Sequence, residues 1–559
     1  MKLLVVFVGI LCAMGCTAQE VHESARRVEV ALTKTREILE EIWKEWDVGN
    51  FPAFLSSAAM PTKSYDVMRL KYERTILESL IHHTKGIGGD AMNFTISFMG
   101  SSVTAGHDSP FNISFPMGTE RLMKPAFEPL GINLQTRNAA MGNNPCIPYD
   151  ACASAFAGKD ADVIHWEQSY NCFPTDEGPR THVVFETFVR QVAQMQRRPI
   201  VVFADSATPN WREKDCKPEN ILPAGQFPAA NANDKAMLNS TRHDPTYLDL
   251  YSSVNGGIMR SWGALKTIMK MYKTAGIQLF RHTEYQRYKC NGPYIPDWGC
   301  CSASWHPSRK GHALRAAHHS FVWLKIFETA LVGVDTLLKA KGATFASVLD
   351  EVVKKQGNPS HHIPEQPLYE SKYGDELQCL TDYEPHYEAT AALQKRFIPS
   401  NGVAGSPITW KQNIMESVFE PNAKIVENAR KKGYQDFKWM TYGGNEDGPL
   451  SIDITVKHEG FVHLCQPPGS WGKLPDAFTS LWLEGSVDIF MTLNVPQESK
   501  AAFQFASGKA EKLSIANPYE KDSQSVCAIT DAVVAPGSHV LTLVPLTKSY
   551  AMLSIILIP

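Results

Sequence analysis

The sequence has no basic surplus. It carries 55 Lys and Arg against 58 Asp and Glu, a formal net charge of −3. A protein that neutralises nucleic-acid phosphates needs a positive face, so a general nucleic-acid-binding role is excluded from the expectations. Beyond the N-terminus no apolar run is long enough to span a bilayer; the final AMLSIILIP is the length of one buried strand. Internal repeats are lacking. No His/Cys spacing completes a zinc site, and Cys300-Cys301 reads as two cysteines with separate disulfide partners. No cofactor or metal is expected.

What is present is a globular chain. Apolar residues make up 43% and charged residues 20%, which sets it apart from disordered sequences. Its 559 residues exceed one ordinary core and suit several domains. The start, MKLLVVFVGILCAMGCTAQE, has a positive residue, a short apolar stretch and then small residues. It reads as a signal peptide over 1–18, cleaved after Ala18, with lipidation at Cys16 as the alternative. A secreted or secretory-lumen location follows as an expectation. Twelve cysteines become ten after cleavage, an even count that suits disulfides. Eight lie between Cys146 and Cys379, and Cys465 and Cys527 lie later, so each region can pair internally. Sequons at Asn93, Asn112 and Asn239 fit the same route.

Periodicity divides the chain. Residues 19–89 read as a helical segment, with Val28, Leu32, Ile38, Ile42 and Trp43 near one face. From about 90 to 341, apolar runs (FTISFMG, INLQTRNA, DVIHWEQ, PIVVFAD, GIQLF) alternate with helical patterns near 117–129, 183–197, 257–275 and 308–340. Strand-helix alternation predicts an α/β fold with a parallel sheet covered on both faces. Residues 342–405 read as a connector with some helix. From 406 to 559 the runs SIDITVKHEGFVHLC, SVDIFMTLNV, HVLTLVP and SYAMLSIILI predict an antiparallel β-sandwich, with a possible Cys465–Cys527 bridge. Trp410, Trp439, Trp471 and Trp482 there are read as packing residues first and sugar-stacking residues second.

In open α/β sheets the working groups collect at the carboxyl ends of strands. FMGSSVTAG (98–106) leaves a strand directly into small residues, which permit a tight turn and close backbone approach. Three further segments follow in order: Asn138-Ala-Ala-Met-Gly142-Asn143; Asp162 through Asn171; and Trp305-His306-Pro307 through His312, opening a helix. Over residues 90–335 these four segments resemble the SGNH (GDSL-type) hydrolases. The resemblance implies a three-layer α/β/α sandwich and a serine esterase. It makes Ser102 the nucleophile and His306 the base. Gly142 becomes the backbone oxyanion donor, with Asn143 one position on, and Asn171 the side-chain oxyanion donor. Where the family has Asp after the first Gly, this chain has Ser101. Where it has the triad acid, three residues before the His, this chain has Ala303. That leaves a Ser–His dyad, an acid from elsewhere (Asp297 and Glu284 are the candidates), or loss of catalysis. The substrate class implied is a small-molecule or glycan ester. An acyltransferase and an inactive binding protein are the alternatives. His107, His165 and His312 are read as packed or solvated residues.

Overall fold

The computed structural model describes residues 18–50, 62–84, 91–106, 111–141, 149–167, 180–197, 199–204, 276–279, 309–340, 344–356, 377–381, 383–384, 393–398, 411–415, 437–443, 447–448, 450–466, 503–504, 526–529, 533–543, 551–553 and 555–559. The signal-peptide stretch up to residue 17, the helix expected at 257–275, the strand SVDIFMTLNV, and Trp410, Trp471 and Trp482 lie outside them.

All five apolar runs of the first region are strands of one parallel sheet. They are β1 (Met92–Gly100), β2 (Ile132–Asn138), β3 (Val163–Glu167), β4 (Ile200–Ala204) and β5 (Gly276–Leu279), in the order β2-β1-β3-β4-β5. The order reverses at β1, between β2 and β3, the kind of switch point where α/β sheets open a crevice. Alternate residues take opposite faces. Phe94, Ile96, Phe98, Leu134, Val163 and Val202 join one core, and Met99, Ile164, Trp166 and Val201 join the other. Both faces of the inner strands are therefore covered, which explains why β1 and β3 read as nearly continuous apolar runs, while β2, at the edge, alternates buried residues with half-buried Asn133, Gln135 and Arg137.

The first face is covered by α1 (Ala18–Ile42), α2 (Thr62–Thr84), α4 (Phe115–Phe127), α7 (Arg309–Leu338) and α8 (Phe345–Gln356). The apolar face expected on α1 is the buried one: Val28, Ile38 and Ile42 are in the core, with Leu32 and Trp43 packed against it. α1 and α2 thus share one core with the sheet. Lys71 of α2 reaches Asp162 at the start of β3, Nζ to Oδ1 3.2 Å, and Asp162 also accepts the Thr95 N–H at 3.0 Å.

On the second face lie α5 (Ala153–Ala157) and α6 (Arg180–Gln194). The same core takes in Leu377, Cys379, Cys465, Ile555 and Leu557 from the antiparallel region, and a Cys152–Cys379 disulfide joins the two parts of the chain. That bridge pairs within the span of the eight earlier cysteines, as expected. Cys465 is disulfide-bonded and stands opposite Cys527 in the strand register.

The antiparallel region forms three four-stranded sheets among the described residues. Three strands lie before residue 406, inside the stretch expected as connector: β6 (Gln378–Thr381), β7 (Tyr383–Glu384) and β8 (Phe397–Ile398). β6 pairs with β12 (Ile555–Ile558). A four-residue strand far from its partner leaves no periodic trace. The run SYAMLSIILI supplies two strands. β11 (Ala551–Leu553) pairs with β9 (Phe437–Gly443), and β12 pairs with β10 (His463–Gln466), so one run serves two sheets.

Candidate active site

β1 ends at Gly100, and the chain turns at once. Ser101 caps the short helix α3 (Ser102–Ala105), its Oγ accepting the Val103 N–H. Gly106 closes the helix in the left-handed conformation, φ 84°, donating to the Ser102 carbonyl. A side chain is strained at that φ. Gly100 is needed for space: a Cβ there would sit 2.6 Å from the Thr104 Cβ and 3.0 Å from the Glu167 carbonyl oxygen.

The two serines of the turn are not equivalent. Ser101 is fully buried. Its hydroxyl donates to Glu167 Oε2 at 2.7 Å while accepting from Val103. Ser102 keeps 7% of its surface open. No protein group among the described residues takes its hydroxyl or its N–H. A serine at the end of a central parallel strand, with its hydroxyl uncommitted, can attack an electrophile once a base is supplied.

Neighbouring elements lock the turn. Asn138, at the end of β2, donates through Nδ2 to the carbonyls of Thr104 (3.1 Å) and Ala105 (3.3 Å). β2 then continues beside β1: Ala139 N–H donates to Phe98 O, and Met141 N–H to Gly100 O at 3.2 Å. The chain thus arrives beside the Ser102 turn one residue before Gly142. β3 ends with Glu167 paired to Gly100, four residues before Asn171. α7 starts three residues after His306, and its first turns lie against the same place. His312 Nδ1 accepts the Phe115 N–H, and the neighbouring Ser114 touches the Cβ position of Gly106 and accepts from Asn138. Gly142, Asn171, His306, Asp297, Glu284, Ala303 and His107 lie outside the described residues.

Beneath the turn lie buried titratable groups. Glu167 is fully buried; burial raises its pKa, while Arg315 and hydrogen bonds from Thr104 and Ser101 pull it down. His165 on β3 and His319 on α7 meet at Nε2···Nε2 3.1 Å. His319 Nδ1 faces the Arg315 carbonyl at 2.8 Å. A carbonyl only accepts, so His319 carries its proton on Nδ1 and receives the His165 Nε2–H. Both rings are neutral. Burial holds both well below the usual histidine range, with Arg315 adding to the effect on His165, and His165 and Arg315 adding to it on His319. His165 and His312 are packed residues, as expected. Among the described residues no group of His, Cys, Asp and Glu could hold a metal ion, and no helix is long and apolar enough to cross a membrane.

Glu167, Arg315 and His319 were not singled out by the sequence. The available signal was a charge ending the apolar run Val-Ile-His-Trp-Glu, and the spacing of His312, Arg315 and His319 along one face of α7.

No family model and no curated protein matches the chain. Among solved structures it is similar to a two-domain esterase active on acetylated mannans, at 13% identity, covering 86% of this chain and 94% of that one, with a TM-score of 0.36. The same esterase co-crystallised with mannopentaose matches at 13% identity over the same shares, TM-score 0.34. A protein from Desulfitobacterium hafniense DCB-2, described as lipolytic and of the G-D-S-L family, matches at 11% identity, covering 41% of this chain and 99% of that one, TM-score 0.24. Likeness at this level fixes neither substrate nor residue roles.

Proposed function

We propose that the chain is a secreted serine esterase of the SGNH type, cleaving an acyl ester on an extracellular carbohydrate or a small alcohol. One observation carries this reading. Of two adjacent serines at the end of β1, Ser101 is fully buried and bonded away, whereas Ser102 keeps some exposed surface and a hydroxyl that no described residue engages. The parallel sheet, with the sequence positions of Gly142, Asn171 and His306 just beyond elements that reach the turn, supports it.

In this reading His306 takes the Ser102 proton as Oγ attacks the ester carbonyl. The backbone N–H groups of Ser102 and Gly142 and the Asn171 amide hold the oxyanion, each donor contributing on the order of 3 kcal/mol to the transition state. Collapse expels the alcohol, which receives the proton from His306. Water, deprotonated by His306, then releases the acid and frees Ser102. With Ala303 where an acid is usual, Asp297, Glu284 or a backbone carbonyl orients the imidazole. Acetyl is the acyl group to try first, on aryl acetates and acetylated mannan.

The test is labelling of the purified protein with a fluorophosphonate, followed by peptide mapping. Label on Ser102, lost in Ser102→Ala and His306→Ala with the fold retained, is the expected result. Ester cleavage surviving Ser102→Ala would overturn the assignment. A native protein that takes no label and leaves aryl acetates intact would select the non-catalytic binding role, the reading that Ala303 favours.

A further inference from the structure

Glu167 clasps the serine turn from both ends. Its Oε2 receives the Ser101 hydroxyl at 2.7 Å, the Thr104 hydroxyl at 2.7 Å and the Ser101 N–H at 3.2 Å. Its backbone carbonyl takes the same N–H at 2.9 Å. Ser101 precedes Ser102 by one residue and Thr104 follows it by two. One carboxyl oxygen therefore fixes both flanks of Ser102. The other oxygen, Oε1, is buried and has no hydrogen-bond partner among the described residues. A buried carboxyl left half-satisfied is costly, and the turn's backbone bonds alone would close α3. The sheet gains nothing from a charge at this position; the turn does, because hydrogen bonds to a carboxylate are roughly twice as strong as neutral ones.

We propose that Glu167 is a positioning residue for Ser102: through Ser101 and Thr104 it sets the direction of the Ser102 hydroxyl and N–H. This rests on Ser102 being the nucleophile. Burial raises the Glu167 pKa, and Arg315 on α7, together with the hydrogen bonds from Thr104 and Ser101, works against that rise. The clasp also assigns the serines. While Glu167 holds the Ser101 hydroxyl, Ser101 cannot replace Ser102.

Two substitutions test the clasp. Glu167→Gln keeps the volume but replaces the charge with an amide, whose NH2 group takes the place of one oxygen. A misplacement of about 1 Å at a reacting group costs on the order of 100-fold in rate. The expected result is a drop of that order in kcat and in the fluorophosphonate labelling rate per folded molecule, with KM within about threefold. Thr104→Val removes one donor at constant shape and is expected to lower the same rates about tenfold. In the double variant the two effects should fall well short of multiplying, since both act on one network. Folding is checked by near-UV circular dichroism, and a variant that fails to fold is replaced by the other. Folded Glu167→Gln or Thr104→Val labelling at the wild-type rate, with only the melting temperature lowered, would overturn the proposal and leave Ser102 standing. Wild-type protein without label on Ser102 would instead sink the esterase reading on which the proposal rests.

Discussion

His165 and His319 are two neutral rings in direct contact inside the layer between sheet and helices. Their folded pKa values are depressed, so the unfolded chain takes up protons first as pH falls below the ordinary histidine value of about 6.5. The stability these rings contribute is present above that pH and is lost below it, at up to about 1.4 kcal/mol per pH unit for each ring. Glu167 and Asp150, buried carboxyls with raised pKa values, have the opposite sign: the folded state holds their protons longer, so they favour folding as pH falls. The histidine contribution is isolated by comparing wild type with His319→Gln. The variant's melting temperature should fall less steeply between pH 6.5 and 5. Parallel curves would show that the rings do not stay neutral. At this scale the sequence was partly legible. Small residues around Ser102 announced a turn, because few other residues fit one. Nothing announced that Glu167 lies beneath it, because a glutamate at a strand end reads the same whether it meets water or three donors.

The strand-turn-helix unit from β1 to α3 depends on one missing side chain. Gly100→Ala would drive its Cβ against the Thr104 side chain and the Glu167 carbonyl. Neither can withdraw: Thr104 is held by Glu167, and the carbonyl by the register of β3. Overpacking of this kind costs about 1–3 kcal/mol. The expected outcome is a lower melting temperature together with slower labelling of Ser102, since relief can come only by moving the turn. A variant as stable and as reactive as wild type would contradict the tight packing described. Elements of this length were the most legible part of the chain. β1 and β3 are buried on both faces, so their apolar runs stand out, and β2 shows as an alternation of buried and half-buried residues. α4, α6 and α7 fall within a few residues of the expected helices. Short pieces were not legible: β6 has four residues and takes its identity from β12, about 180 positions away.

Across the whole molecule, the antiparallel strands and the α/β sheet meet in one core around Trp166 and Met99, and the Cys152–Cys379 bridge crosses the same seam. The bridge spans 227 residues. By the loop-entropy argument its loss costs about 2–5 kcal/mol. Cys152→Ala with Cys379→Ala should lower the melting temperature and, where the seam is the weaker part, separate one unfolding transition into two in calorimetry. An unchanged profile would show that burial alone holds the parts together. Amphipathic periodicity revealed that α1 buries a face but not what it packs on. That partner is α7, which runs along it and is joined to it by Arg36 and Glu328 at 2.8 Å.

α1 is therefore a helix made early that waits for one made late. Roughly 270 residues are synthesised between them, and at ribosomal rates of about 5–20 residues per second that interval is on the order of tens of seconds. For that time the part of the Val28–Ile42 stripe that α7 covers lacks its native partner, while α4, made soon after α1, can already pack on the rest.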